Sequence, residues 1–272
     1  MVETPSPWGN VTMVTGRRSG RKRCHQEATT LVRATEGACV VSTPELVMFD
    51  LNYTLLRPGE QFGPIGYERV GRRLGLDLDL TRWAEAERSV HAVATARRAE
   101  RGGAHDDGML ALVARTFIEG LGGGPEDAAA AAKAMVASWS QAEHFDLYDD
   151  VLPCLERLRE VGIRMVVVSN NIGKGVGGVV GHFGLDAYLE FVVSSADVGY
   201  LKPAPEVFAA VLTRTGLLPG QVVMVGDSIE NDVKGALACG CEAILLDRAN
   251  RAPHTALRRI ETLAELPTAL GL

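Results

Sequence analysis

Cysteine is scarce. The 272 residues hold five, at positions 24, 39, 154, 239 and 241, an odd number with no repeated Cys-x-x-Cys pairing. That usage speaks against a disulfide framework and fits a reducing cytoplasm. Cys239-Gly240-Cys241 has half the makings of a metal site, but no second Cys/His cluster partners it, and two small residues after a helix is the plainer account. Long apolar runs are missing as well: nothing approaches the roughly 20 residues of a membrane helix. Nor is there an excess of basic charge. Lys and Arg number 28 against 34 Asp and Glu, for a formal charge of −6 and a pI near 5.6. This balance weighs against a general nucleic-acid binder, and neither nucleic acid nor membrane is an expected partner.

What is present is enough apolar material, 46% of residues, for one large domain or one domain with an insertion. Residues 1–44 lack a clear period and carry the basic cluster Arg17, Arg18, Arg21, Lys22 and Arg23. "GRRSGRKR" has a twin-arginine look, yet no apolar segment follows it, so a secretion signal is rejected. A disordered basic extension and a cytoplasmic location are the expectations.

From residue 46 onward the chain is sharply punctuated. "LVMFD", "IRMVVVSN", "FVVSS", "VVMVGD" and "AILLD" are strand-length and rich in β-branched residues. Helical spacing predicts helices over 149–162 and 202–216, the latter with Pro205 near its start and Gly216 at its stop. "IENDVKGALACG" and "PHTALRRIETLAEL" complete the predicted helices. Strands alternating with helices imply an α/β fold, a parallel sheet covered on both faces in three layers. Between the first strand and residue 149 no convincing strand occurs. Alanine-rich amphipathic segments joined by glycine loops fill the gap, and an all-helical insertion is expected there.

Polar residues gather at the strand ends: Asp50, Ser169-Asn170, Lys202 and Gly226-Asp227. In a parallel sheet, all C-terminal strand ends open on one edge, where ligands bind. Taken singly, each residue is as easily a cap, a turn or a solvated loop position. Taken together, they have a chemistry. Asp50 can attack phosphorus and form an aspartyl-phosphate. Asp227 and Asp232 offer hard oxygen ligands for Mg²⁺. Ser169 supplies a hydroxyl, and Lys202 a charge that holds carboxylates and a phosphoryl group together.

The motifs "FDLNYTLL", "VVVSNN", "LKPAPEVF" and "VGDSIENDV", in that order and spacing, resemble the haloacid dehalogenase-like (HAD) hydrolase superfamily over about residues 46–250. The resemblance implies a Rossmann-like core over 45–57 and 146–272 with a helical C1 cap over 58–145. It also implies a Mg²⁺-dependent phosphohydrolase working through Asp50 on a small phosphorylated substrate, as a monomer or homodimer. The metal would be held by Asp50, the backbone carbonyl of Asn52, and Asp227, with Asp232 nearby. Thr54, Ser169, Asn170 and Lys202 would surround the phosphate, with Arg57 just past the first motif.

Asn52 departs from the pattern, because most phosphatases of the superfamily carry a second Asp there as general acid and base. An amide cannot exchange a proton at neutral pH, and such help is typically worth about 10²–10⁴ in rate. Four readings stay open. They are a phosphatase that is slow or acts on an activated phosphate, a 2-haloacid dehalogenase, an impaired phosphometabolite-binding protein, and an engineered substitution. Tyr53 departs too, since Gly is common there. Over the cap, Arg97, Arg98, Arg101 and His105 are candidates for an anionic substrate, with a solvated helix face as the alternative. Trp83 and Trp139 read as cap core, and His144 and His182 as structural or surface residues.

Overall fold

The computed structural model describes residues 43–139, 141–170 and 175–272. The basic cluster, Cys24 and Cys39 lie outside them. In chain order the strands are β1 (Leu46–Phe49), β2 (Leu56–Pro58), β3 (Phe145–Leu147), β4 (Arg164–Ser169), β5 (Val192–Ser194), β6 (Val222–Gly226), β7 (Glu242–Leu246) and β8 (Arg259–Ile260). The helices are α1 (Pro64–Leu74), α2 (Trp83–Glu100), α3 (Met109–Gly120), α4 (Pro125–Trp139), α5 (Val151–Glu160), α6 (Val176–His182), α7 (Ser195–Val198), α8 (Pro205–Thr215), α9 (Gly235–Ala238) and α10 (Leu266–Ala269).

Six strands form one all-parallel sheet in the order β5-β4-β1-β6-β7-β8. Both faces are buried, which is why these strands read as continuous apolar runs rather than alternating ones. Val47 and Phe49 of β1 enter one core with Val151, Leu155 and Leu158 of α5. Leu46 and Met48 enter the other, with Val207, Phe208 and Val211 of α8. The three-layer expectation holds. Among the described residues no helix is long and apolar enough to cross a membrane.

Helices α1 to α4 make a separate apolar cluster around Tyr67, Met109, Val113, Phe117 and Met135. Trp83 and Trp139 pack against it, as expected, with the Trp83 ring 4.6 Å from Phe117 and 5.4 Å from Tyr67. Two expectations need correction. The stretch before residue 149 is not free of strand: β2 and β3 pair antiparallel, Leu56 opposite Leu147, as a short stem beneath these helices. Three-residue strands are too short to show a period. The stretch 253–266 is not a helix. It runs through turns into β8, a 3₁₀ turn at Leu263–Glu265 and then α10. Apolar residues at three-residue spacing, Leu257, Ile260 and Leu263, imitate a helix face, but the open edge of β7 accepts Arg259–Ile260 as a ladder instead.

Candidate active site

The turn after β1 is built by its own backbone. Asp50 N–H donates to the Val225 carbonyl at 2.9 Å, fixing Asp50 beside β6. The Leu51 carbonyl accepts from both Leu55 and Leu56 N–H at 2.9 Å, so the chain doubles back within five residues. Tyr53 pays for this turn with φ of 62°, the left-handed region where a side chain costs about 1 kcal/mol. That is the physical reason a glycine suits the position. The Thr54 hydroxyl is buried and has no hydrogen-bond partner among the described residues. Among the described residues nothing hydrogen-bonds the Asn52 side chain.

Lys202 is the centre of the site. Its side chain is 1% exposed, and its ammonium donates to Asp50 Oδ1 at 2.7 Å, Asp232 Oδ1 at 2.6 Å and the Val168 carbonyl at 2.7 Å. All three N–H donors are used. Asp232 is fixed again by Ser228 N–H, which donates to its Oδ2 at 3.0 Å. It stands on a π-helical turn, Ile229–Lys234, a form that recurs at functional sites. Gly226 makes room for it: a Cβ there would lie 2.3 Å from Asp232 Oδ2. Burial acts to lower the Lys202 pKa, but the charges and hydrogen bonds of Asp232 and Asp50 prevail and push it to about 12.

Two of the acids are pushed up as well, here toward the neutral form. Burial pushes the Asp50 carboxyl up to about 6, against the pull of Lys202. Burial and the charges of Asp50 and Asp232 push Asp227 up to about 8. Carboxylate oxygens of Asp50, Asp227 and Asp232 lie within 4.8 Å of one another. An all-oxygen donor set of three crowded carboxyl groups, which a divalent cation would keep ionised, suits a hard ion such as Mg²⁺.

The other predicted residues divide. Ser169, buried at the end of β4, opens on the same sheet edge. Asn170, expected at the phosphate, turns its side chain to Lys202: Oδ1 accepts from Lys202 N–H at 2.6 Å, and Nδ2 donates to the Lys202 carbonyl at 2.9 Å. Arg57 stays on the β2–β3 stem, half exposed, 3.6 Å from Asp146. In the cap, Arg97 donates to Asp106 at 2.6 Å, and Arg101 lies 3.7 Å from the same carboxylate. Arg98 instead lines a cavity of about 380 Å³ together with Gly102, Gly103, Lys202, Glu206 and Asn231. His105 reaches across to the core: its backbone N–H donates to the Gly199 carbonyl at 2.8 Å, and its ring Nδ1 lies 3.3 Å from Ser195 Oγ. Leu201 N–H returns a bond to the Gly103 carbonyl at 2.9 Å, so the cap is stitched to the segment carrying Lys202.

Two arginines escaped sequence reasoning, both in the polar loop after β7. Arg248 donates to both oxygens of Asp150 at 2.8 Å and to the Thr54 carbonyl at 2.9 Å, bracing the turn that holds Asn52. Arg251 Nη2 lies 3.3 Å from Asp227 Oδ2. "DRANRAPH" has neither period nor motif, so only its position just past a strand end hinted at a role.

Buried acids and a lysine at the carboxyl edge of a parallel sheet, with a helical insertion after its first strand, define a capped Rossmann-like α/β protein whose site lies at that edge. The family profile described as haloacid dehalogenase-like hydrolase matches residues 115–246. The ribulose-1,5-bisphosphate 5-phosphatase of Halopiger xanaduensis is 30% identical over 212 residues, 77% of this chain and 87% of the relative. The glyceraldehyde 3-phosphate phosphatase of Methanopyrus kandleri is 27% identical over 205 residues, 74% of this chain and 83% of the relative. The crystal structure of a HAD phosphatase from Thermococcus onnurineus superposes with a TM-score of 0.59 at 28% identity, covering 84% of this chain and 98% of that one. The chain belongs to the haloacid dehalogenase-like hydrolases.

Proposed function

We propose that the chain is a Mg²⁺-dependent phosphatase that hydrolyses a phosphate ester, or an activated phosphate, of a small metabolite through Asp50. The observation that carries this reading is the buried Lys202 ammonium bridging Asp50 and Asp232. It holds one Asp50 oxygen in place beside an acidic cluster of hard oxygen ligands. The phosphatase names of the two relatives above support the substrate class.

Asp50 and Asp227 would hold the cation, with the Asn52 carbonyl as a third ligand. Asp232, whose two oxygens already accept from Lys202 and Ser228, keeps Lys202 in place and lies alongside. A bound Mg²⁺ supplies charge for the phosphoryl oxygens and keeps Asp50 ionised. Asp50 then forms a new O–P bond as the bond from phosphorus to the leaving oxygen breaks. The Ser169 and Thr54 hydroxyls donate to the equatorial oxygens, the Lys202 charge acts on them through space because its three N–H bonds are already made, and water afterwards cleaves the aspartyl-phosphate to free phosphate and restore Asp50. Asn52 cannot carry the proton in either half. The substrates best served are therefore those whose leaving group needs none, an acyl phosphate or similarly activated ester.

Asn52 itself favours a second reading, a phosphometabolite-binding protein with weakened turnover. A phosphorylated-metabolite panel with Mg²⁺ separates the two. Phosphate release that disappears in Asp50→Asn supports the phosphatase. Release by Asn52→Asp alone supports the binding protein. Chloride release from 2-chloropropionate without metal selects a dehalogenase.

A further inference from the structure

The acidic cluster divides its counter-charge unequally. Lys202 spends its three N–H donors on Asp50, Asp232 and the Val168 carbonyl, and none reaches Asp227. The partner of Asp227 is Arg251, and their 3.3 Å separation is long for a charge-assisted bond. Among the described residues the Arg251 guanidinium makes no other hydrogen bond, and its side chain remains 31% exposed.

Its backbone is held quite differently. The Asp247 carboxylate accepts from Arg251 N–H and Ala252 N–H, both at 2.8 Å. Arg259 braces Asp247 in turn at 3.0 Å. The result is a planar five-donor cation on a fixed base, with one long bond and room to re-aim at the rim of the site.

We propose that Arg251 is an exchangeable partner: it bonds to Asp227 in the absence of a divalent cation and is handed to the substrate's phosphoryl group once Asp227 ligates that cation. The inference rests on the phosphatase reading above and extends it to the order of binding, cation first and phosphate second. Its consequence is unusual for a single residue. Arg251 opposes cation binding, because the two compete for Asp227, and it favours phosphate binding, because its guanidinium forks onto paired oxygens. Removing it shifts the two affinities in opposite directions. A purely structural arginine would move both the same way.

The test is calorimetric and needs no turnover, so failure of hydrolysis and failure of the exchange are read separately. The full chain is titrated with Mg²⁺ alone, and then with inorganic phosphate at saturating Mg²⁺. In Arg251→Gln, Mg²⁺ binding should tighten about threefold to fivefold, and phosphate binding should weaken about tenfold. Arg251→Lys keeps the charge, so its Mg²⁺ affinity should stay within about twofold of wild type while phosphate, deprived of the fork, still weakens. Arg251→Gln weakening both ligands, or changing neither, overturns the proposal. So does weaker phosphate binding in that variant with Mg²⁺ affinity unchanged.

Discussion

Lys202 and Asp50, 152 positions apart in the chain, meet at 2.7 Å in the buried centre of the site. The contact is possible because β5, β4 and β1 are successive strands of the sheet, so the segment after β5 that delivers Lys202 reaches over the end of β4, at the Val168 carbonyl, to the turn after β1. Removing one partner of a buried ion pair leaves the other uncompensated, at about 3–5 kcal/mol. Lys202→Met should therefore lose stability on that scale and lower turnover by at least about 10². Urea unfolding and steady-state kinetics on the same preparation check both halves. Lys202→Arg should not rescue turnover, because a planar fork cannot reach Asp50, Asp232 and the Val168 carbonyl from one nitrogen.

Gly226 gives a test of how tightly the acids are placed. A methyl group there would meet the Asp232 carboxylate at 2.3 Å, and Asp232 is pinned from both sides by Lys202 and Ser228. Gly226→Ala should displace Asp232 and, through Lys202, Asp50. The expected result is a fall in kcat of about tenfold or more with KM changed much less, since a shift of an ångström at a catalytic group costs up to about 10². Unchanged kinetics would mean that Asp232 has freedom the structure does not give it.

Asp150 makes a pH prediction away from the acidic cluster. Burial acts to raise its pKa, but hydrogen bonds from Arg248, the Thr262 hydroxyl and Leu263 N–H prevail and hold it below the usual carboxylate range. A carboxyl whose folded pKa is depressed contributes stability that is fully present above its unfolded value, about 3.9, and is lost as pH falls through the folded one. Asp150→Asn should therefore destabilise by about 2–3 kcal/mol at pH 7. The gap to wild type should narrow below about pH 4, where the wild-type carboxyl also takes up a proton. Urea midpoints across that range decide it; a gap independent of pH would contradict the ion pair.

The strand ends were legible for a physical reason. Strands buried on both faces read as unbroken apolar runs, so the first polar residue after each run marks the carboxyl edge, and Asp50, Ser169 and Asp227 were found this way. Side-chain direction was not legible. Asn170 sits beside Ser169 in sequence, but its amide clamps the Lys202 peptide, a use that exists only once two distant loops meet. Arg248 and Arg251 were hidden because a polar loop carries no period, and their importance comes from Asp150, Thr54 and Asp227 lying across from them. The stretch 253–266 shows the complementary failure, in which three-residue spacing was real but a free sheet edge outweighed it.

Asn52 carries the last prediction. The turn around it closes through the Leu51, Leu55 and Leu56 backbone, and among the described residues its side-chain amide has no hydrogen-bond partner. Asn52→Asp should therefore raise turnover of an unactivated phosphate ester by about 10²–10⁴, with little effect on an acyl phosphate whose leaving group needs no proton.

The most direct measurement is intact-protein and peptide mass spectrometry after the chain meets acetyl phosphate and Mg²⁺. The account predicts a phosphoryl group on Asp50 that persists in the native sequence, clears faster in Asn52→Asp, and never forms in Asp50→Asn. Phosphate release that survives in Asp50→Asn, with no adduct on Asp50 in the native chain, would contradict it.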